Sequence, residues 1–144
     1  MGNLFTALRA AFPADLDAVA VETDNGLCYS WRDLDRASAM VANLLASLPI
    51  KPDASGAPPR VAVQVEKSVE AMILYLATLR AGFAFLPLNT AYQSAEIEYF
   101  IGNAQPAVVV CSRRNFSWVS QIAFQAGTRH VFTLDDDRSG SLLE

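Results

Sequence analysis

The side chains able to do chemistry are few and scattered along the 144 residues. His130 is the single histidine. It stands in an apolar, strand-like run, where an imidazole could serve as a general base but is better accounted for by packing, and it is assigned no role. Asp135, Asp136 and Asp137 carry the oxygen ligands that a hard divalent cation requires. Arg138 and Ser139 follow them directly, so the run reads as a solvated acidic tail over 135–144 rather than a metal site. Cys28 and Cys111 lie far apart, each in an apolar run, without the close spacing of a zinc knuckle or a redox pair. Both are expected to be reduced, unlinked packing residues, as suits a cytoplasmic protein. The seven glycines are too widely spread to build a dinucleotide fingerprint or a Walker loop. No catalytic residue and no metal ligand is assigned, and cofactor-binding residues remain unknown.

Charge and composition narrow the partners. Eleven basic against fifteen acidic residues leave a formal charge of −4, which provides no positive field for nucleic acid or an anionic membrane. No run approaches the roughly 18 apolar residues of a membrane span, and the start lacks the basic and apolar regions of a secretory signal. Met1, Gly2 and Thr6 satisfy an N-myristoylation pattern, but Leu4, Phe5, Leu8, Ala11 and Phe12 recur at helical spacing and are read as a core-facing first helix. A content of 52% hydrophobic and 18% charged residues exceeds the usual apolar share. That tilt fits a piece whose buried faces expect more protein.

The elements that position these residues follow from pattern. Residues 18–23 and 27–30 are strand-like runs flanking Asp24, Asn25 and Gly26, the chemistry of a hairpin turn. Ser30 opens a helix with Asp33 three residues on, and Trp31, Leu34, Val41, Leu44, Leu45 and Leu48 form its apolar stripe. Residues 51–60 hold three prolines, a serine and a glycine, and read as a mobile surface loop. A strand at 60–65 leads into a helix capped by Ser68 and ended at Gly82. Glu66, Lys67 and Glu70 surround the start of that helix as its charged surface. The helix is apolar almost all round, which implies cover on more than one side. Further strands are predicted at 83–88, 107–111 and 129–134, with helices opened by Ser94 and spanning 115–126. Trp118 falls on the apolar stripe of the latter. The alternation predicts an α/β fold: a largely parallel, Rossmann-like sheet flanked by helices, after an N-terminal β-hairpin. In such sheets ligands bind beyond the carboxyl ends of the strands. Asn89 to Tyr92 occupy that position, although a turn and helix entry explains the same residues.

Two runs carry a family resemblance. Tyr29, Ser30, Trp31, Arg32, Asp33 and Leu34 resemble the hydroxyl, aromatic, x, acidic, leucine signature of adenylate-forming enzymes. Residues 60–89, RVAVQVEKSVEAMILYLATLRAGFAFLPLN, resemble the family's strand, buried helix and following proline-leucine strand. Glu66, Lys67 and Ser68 together with Leu88 to Tyr92 are most similar to the malonyl-CoA synthetase branch, although Phe83 and Ala84 stand where a smaller, glycine-containing pair is expected. The resemblance implies that residues 1–144 are the N-terminal subdomain of an acyl-CoA synthetase whose other domains are absent. It also implies a full-length parent that uses ATP, Mg2+ and coenzyme A to convert a carboxylate into an acyl adenylate and then a thioester. In the family the phosphate loop, the nucleotide and acyl pockets and the catalytic lysine come later in sequence, so the 144 residues alone are expected to be inactive and to bind no cofactor. Their partners would be the remaining synthetase domains, with self-association through the apolar helix possible. Two other classes remain open from the residues: a stand-alone nucleotide or metabolite binding module, and a truncated protein-interaction domain.

Overall fold

The computed structural model describes residues 4–50, 56–135 and 139–143. A short helix α1 (Leu4–Ala10) precedes an antiparallel hairpin of β1 (Val19–Glu22) and β2 (Cys28–Ser30). The hairpin turns through Gly26 at φ +84, a left-handed value that glycine adopts without steric cost. Helix α2 (Trp31–Ser47) starts on a capping box: the Asp33 amide donates to Ser30 Oγ at 3.0 Å and the Ser30 amide donates to Asp33 Oδ2 at 2.9 Å. Two otherwise orphaned backbone donors are thereby satisfied at the place the sequence predicts.

The main sheet alternates with helices. In order come β3 (Arg60–Gln64), α3 (Val69–Arg80), β4 (Ala84–Pro87), α4 (Ser94–Ala104), β5 (Val108–Cys111), α5 (Phe116–Gln125) and β6 (His130–Thr133). The four strands are parallel in the order β4-β3-β5-β6. Because side chains alternate along a strand, Val61 and Val63 of β3 pack with Leu74 and Ala77 of α3 and with Val41 and Leu45 of α2. Ala62 points to the other face, with Ile97 and Ile101 of α4 and Val119 and Ala123 of α5. The sheet is thus covered on both faces, as its continuous β-branched runs require.

Several expectations are met or revised in detail. Ser68 Oγ accepts the Ala71 amide at 3.0 Å, and Gly82 follows α3 at φ +80, both as predicted. Ser94 is already helical; the cap is Gln93, whose amide donates to Glu96 Oε2 at 3.2 Å. Both sides of α3 are covered from within the chain: Leu74 is enclosed with α2 residues, and Leu76 packs with Phe5 of α1 and Leu34 of α2. Met72 and Tyr75 are the large apolar side chains of α3 that remain exposed. Glu70 departs from the expected charged surface. It is buried, with the Tyr29 hydroxyl 3.4 Å from its Oε1, because the hairpin folds over the start of α3. Both cysteines are free, but only Cys111 is a packing residue. Cys28 is exposed, since a two-stranded hairpin is covered on one side only.

The expected solvated tail is also corrected. Residues 139–143 return to the sheet, where Leu142 is buried beside Leu134. The Thr133 amide donates to Ser141 Oγ at 2.8 Å, and the Ser141 amide donates to Thr133 Oγ1 at 2.9 Å. Gly140 permits this return at φ +130; a Cβ there would lie 2.2 Å from the Thr133 carbonyl oxygen. Met1, Gly2, residues 51–55 of the predicted mobile loop, and Asp136 and Asp137 lie outside the described residues.

Candidate functional site at the carboxyl edge of the sheet

Strands β3 and β5 are neighbours, yet the helices that follow them lie on opposite faces, α3 on one and α5 on the other. Diverging connections open a crevice at the carboxyl ends of the two strands, the place where open α/β sheets receive ligands. Here it has a volume of about 1180 Å³. Its rims are Glu66 and Lys67 after β3, Asn89 and Thr90 after β4, and Ser112, Arg113 and Arg114 after β5. Val63, Phe85 and Leu134 provide an apolar floor, and Asp135 closes the β6 side.

Charges are arranged across this edge rather than along one loop. Arg114 Nη2 lies 3.2 Å from Glu66 Oε1, spanning the loops after β5 and β3. Asp135 Oδ1 accepts the Arg113 amide at 3.1 Å, and its Oδ2 lies 3.8 Å from Arg113 Nε. Lys67 has no ion-pair partner among the described residues. Three cations and two carboxylates therefore leave one positive charge beside the hydroxyls of Thr90 and Ser112. That set suits reception of an anionic group by charge and hydrogen bonding.

The structure separates the sequence-derived candidates. Asn89, Thr90, Glu66, Lys67 and Asp135 are brought together at the crevice. His130 is not: its Nε2 lies 3.5 Å from the Pro49 carbonyl, by a separate hollow of about 320 Å³ that also includes Pro106 and Gly127. Among the described residues no three His, Cys, Asp or Glu side chains converge as metal ligands. Cys111 ends β5 but is fully buried. Burial pushes its thiol up to about 12, with the charge of Asp135 adding to the effect, so it is held as an unreactive thiol. Trp31 and Trp118 are half-buried in apolar clusters, as their helical spacing predicts. Arg113 and Arg114 escaped the reading of the sequence. The signal was available, since they lie just past the 107–111 run, after Ser112, much as Asn89 follows its strand.

Residues 8–142 match the family model of the AMP-binding enzymes. The chain belongs to this family. AMP-binding relatives of known structure include apo MatB from Rhodopseudomonas palustris, 42% identical over 99% of this chain with a TM-score of 0.86. ATP-bound MatB from the same organism is 40% identical over 99% of the chain with a TM-score of 0.87. Tyrocidine synthase 1 of Brevibacillus parabrevis is 30% identical over 137 residues, 94% of this chain. The chain spans 27% of each MatB chain and 11% of tyrocidine synthase 1. The family is one of adenylate-forming ligases, comprising acyl-CoA synthetases and the adenylation domains of peptide synthetases.

Proposed function

We propose that the chain is the amino-terminal part of an ATP-dependent acyl-CoA synthetase that acts on malonate or a similar small carboxylic acid. The observation that carries this reading is the 42% and 40% identity to the two MatB structures over 99% of the chain, one of them with ATP bound. The residue pattern at Glu66 to Ser68 and Leu88 to Tyr92 supports the same branch.

In the reaction so assigned, a carboxylate oxygen bonds to the α-phosphorus of ATP and pyrophosphate leaves. The sulfur of coenzyme A then bonds to the acyl carbon, AMP leaves, and the thiol proton is released. Both steps depend on positioned cations and amides that stabilise developing charge. Mg2+ would neutralise the phosphates; among the described residues no three His, Cys, Asp or Glu side chains converge, and no ligand is assigned. What this chain contributes is the rigid sheet and its carboxyl edge, where Lys67, Arg113 and Arg114 bias the field toward anions. Its partners are the remaining synthetase domains, its location is the cytoplasm, and the 144 residues alone have no activity.

The test is exchange of labelled pyrophosphate into ATP with malonate present, run on the 144 residues and on the complete reading frame that encodes them. Exchange by the longer product alone is expected. Exchange by the 144 residues would overturn the inactivity. A second reading, an adenylation domain of a peptide synthetase, draws on the similarity to tyrocidine synthase 1; exchange driven by an amino acid and not by malonate would favour it.

A further inference from the structure

At the carboxyl end of β3 the strand buries an amide where its neighbours are apolar. Val61, Ala62 and Val63 precede Gln64, which is itself only 2% exposed. By strand alternation Gln64 shares the face of Ala62, toward α4 and α5. A polar group there is costly unless it is hydrogen-bonded. Gln64 Nε2 donates to the Asn89 carbonyl at 3.0 Å and to the Tyr92 carbonyl at 3.3 Å. Both partners are acceptors, so the nitrogen must face them and the oxygen must point away. That oxygen, Oε1, is buried without a partner among the described residues. A methionine of similar length would remove this orphan. It would also remove the grip on the two carbonyls, which is the one thing the glutamine adds.

The gripped segment is a rim of the crevice. Asn89 Oδ1 accepts the Ala91 amide at 2.8 Å, the Asn89 carbonyl accepts the Tyr92 amide at 3.0 Å, and the Tyr92 ring stacks on Phe100 with centroids 5.1 Å apart. These bonds shape the turn locally, and the Leu88 amide, donating to the Val63 carbonyl at 2.8 Å, anchors the strand end just before it. For the backbone of residues 89–92 itself, the Gln64 amide is the tie to β3 among the polar contacts described. We propose that Gln64 is a positioning residue for the ligand edge, holding the Asn89–Thr90 rim in register with the rims that follow β3 and β5. The importance of that register rests on the reading of the carboxyl edge as the site of the synthetase; the grip does not.

The test is site-resolved hydrogen exchange on the native chain and on Gln64→Met and Gln64→Glu, with thermal unfolding beside it. The native Ala91 and Tyr92 amides are expected to be protected. In both variants they should exchange at least about tenfold faster, while the Val61 to Val63 and Val108 to Val110 amides keep their native rates relative to global opening. The melting temperature of Gln64→Met should be unchanged or raised, because the buried orphan is gone, whereas that of Gln64→Glu should fall. Unprotected native amides at Ala91 and Tyr92 would overturn the proposal even if no variant folded. So would unaltered exchange there in Gln64→Met, or acceleration of the β3 and β5 amides by the same factor. No ligand is needed, so an absence of synthetase activity leaves the outcome readable.

Discussion

Two sets of ion pairs, built from the same residue types, sit in different parts of the molecule. In the helical layer, Asp35 of α2 lies 3.0 Å from Arg9 of α1 and 3.0 Å from Arg80 of α3. Arg80 also donates to the Asp35 carbonyl at 3.1 Å, and its guanidinium lies over the Phe5 ring at 4.7 Å. At the carboxyl edge, Arg114 and Glu66 approach to 3.2 Å, but their side chains are 75% and 51% exposed, against 25% for Asp35. Distance alone would rank the Arg114–Glu66 pair close to the Asp35 node. Burial and the number of donors separate them. The second pair of the edge, Arg113–Asp135, has a carboxylate as sheltered as Asp35, 23% exposed, but is longer at 3.8 Å and joins an arginine that is 68% exposed. A half-buried carboxylate with several charge-assisted hydrogen bonds is part of the fold, whereas an ion pair in water contributes little and can trade its partner for a ligand.

The largest effect is expected on removing the helical node. Asp35→Ala leaves two guanidinium groups without their acceptor and should lower unfolding stability by about 2 kcal/mol, a value already reduced for the partial exposure of both arginines. Urea titration checks it; a loss no greater than that of a surface substitution would erase the distinction. The next effect is on pH dependence. Burial pushes the Asp35 carboxyl up, but hydrogen bonds from Arg80 and Arg9, with their charges, outweigh it and hold the group below the ordinary carboxylate value. Its contribution is therefore complete above the unfolded pKa of about 3.9 and is lost as pH falls through the lower, folded value. Asp35→Asn should show a shallower loss of stability below about pH 4 than the native chain, and parallel curves would refute the assignment. The smallest effect is at the crevice. Arg114→Ala should change stability by less than about 0.5 kcal/mol, and a screening salt should reduce even that. A cost near that of Asp35→Ala would make the edge structural rather than receptive.

Much of this architecture was legible because its signals are local. The capping box of Ser30 and Asp33, the stop at Gly82 and the alternation that makes the parallel sheet each depend on residues a few positions apart. Burial decided by distant contacts was not legible. Cys28 and Cys111 sit in similar apolar runs, yet one lies on an open hairpin and the other between two helices. Glu70 looks like a helix-start surface charge until Tyr29, 41 residues earlier, closes over it. Of the crevice, the position after the β4 run could be read from topology, and the same rule applied after β5 would have supplied Arg113 and Arg114. The bridge from Arg114 to Glu66 spans 48 residues, and no spacing rule reaches that far.

The returning tail has a bearing on solubility. An open sheet presents unpaired backbone groups at its outer strands, which can template a strand from another molecule. Here the outer strands are β4 and β6. The Leu134 amide bonds inward to Cys111, so by alternation the neighbouring Thr133 amide points outward, and Ser141 Oγ occupies it. On β4 the Ala84 and Leu88 amides point inward to Pro59 and Val63, which puts Pro87, a residue with no amide hydrogen, on the outward register. Each edge is thus blunted at its carboxyl end by different chemistry. Gly140 becomes the residue on which the β6 guard hinges: a side chain at that position would push the tail off and leave a hydrogen-bond donor open to strand addition.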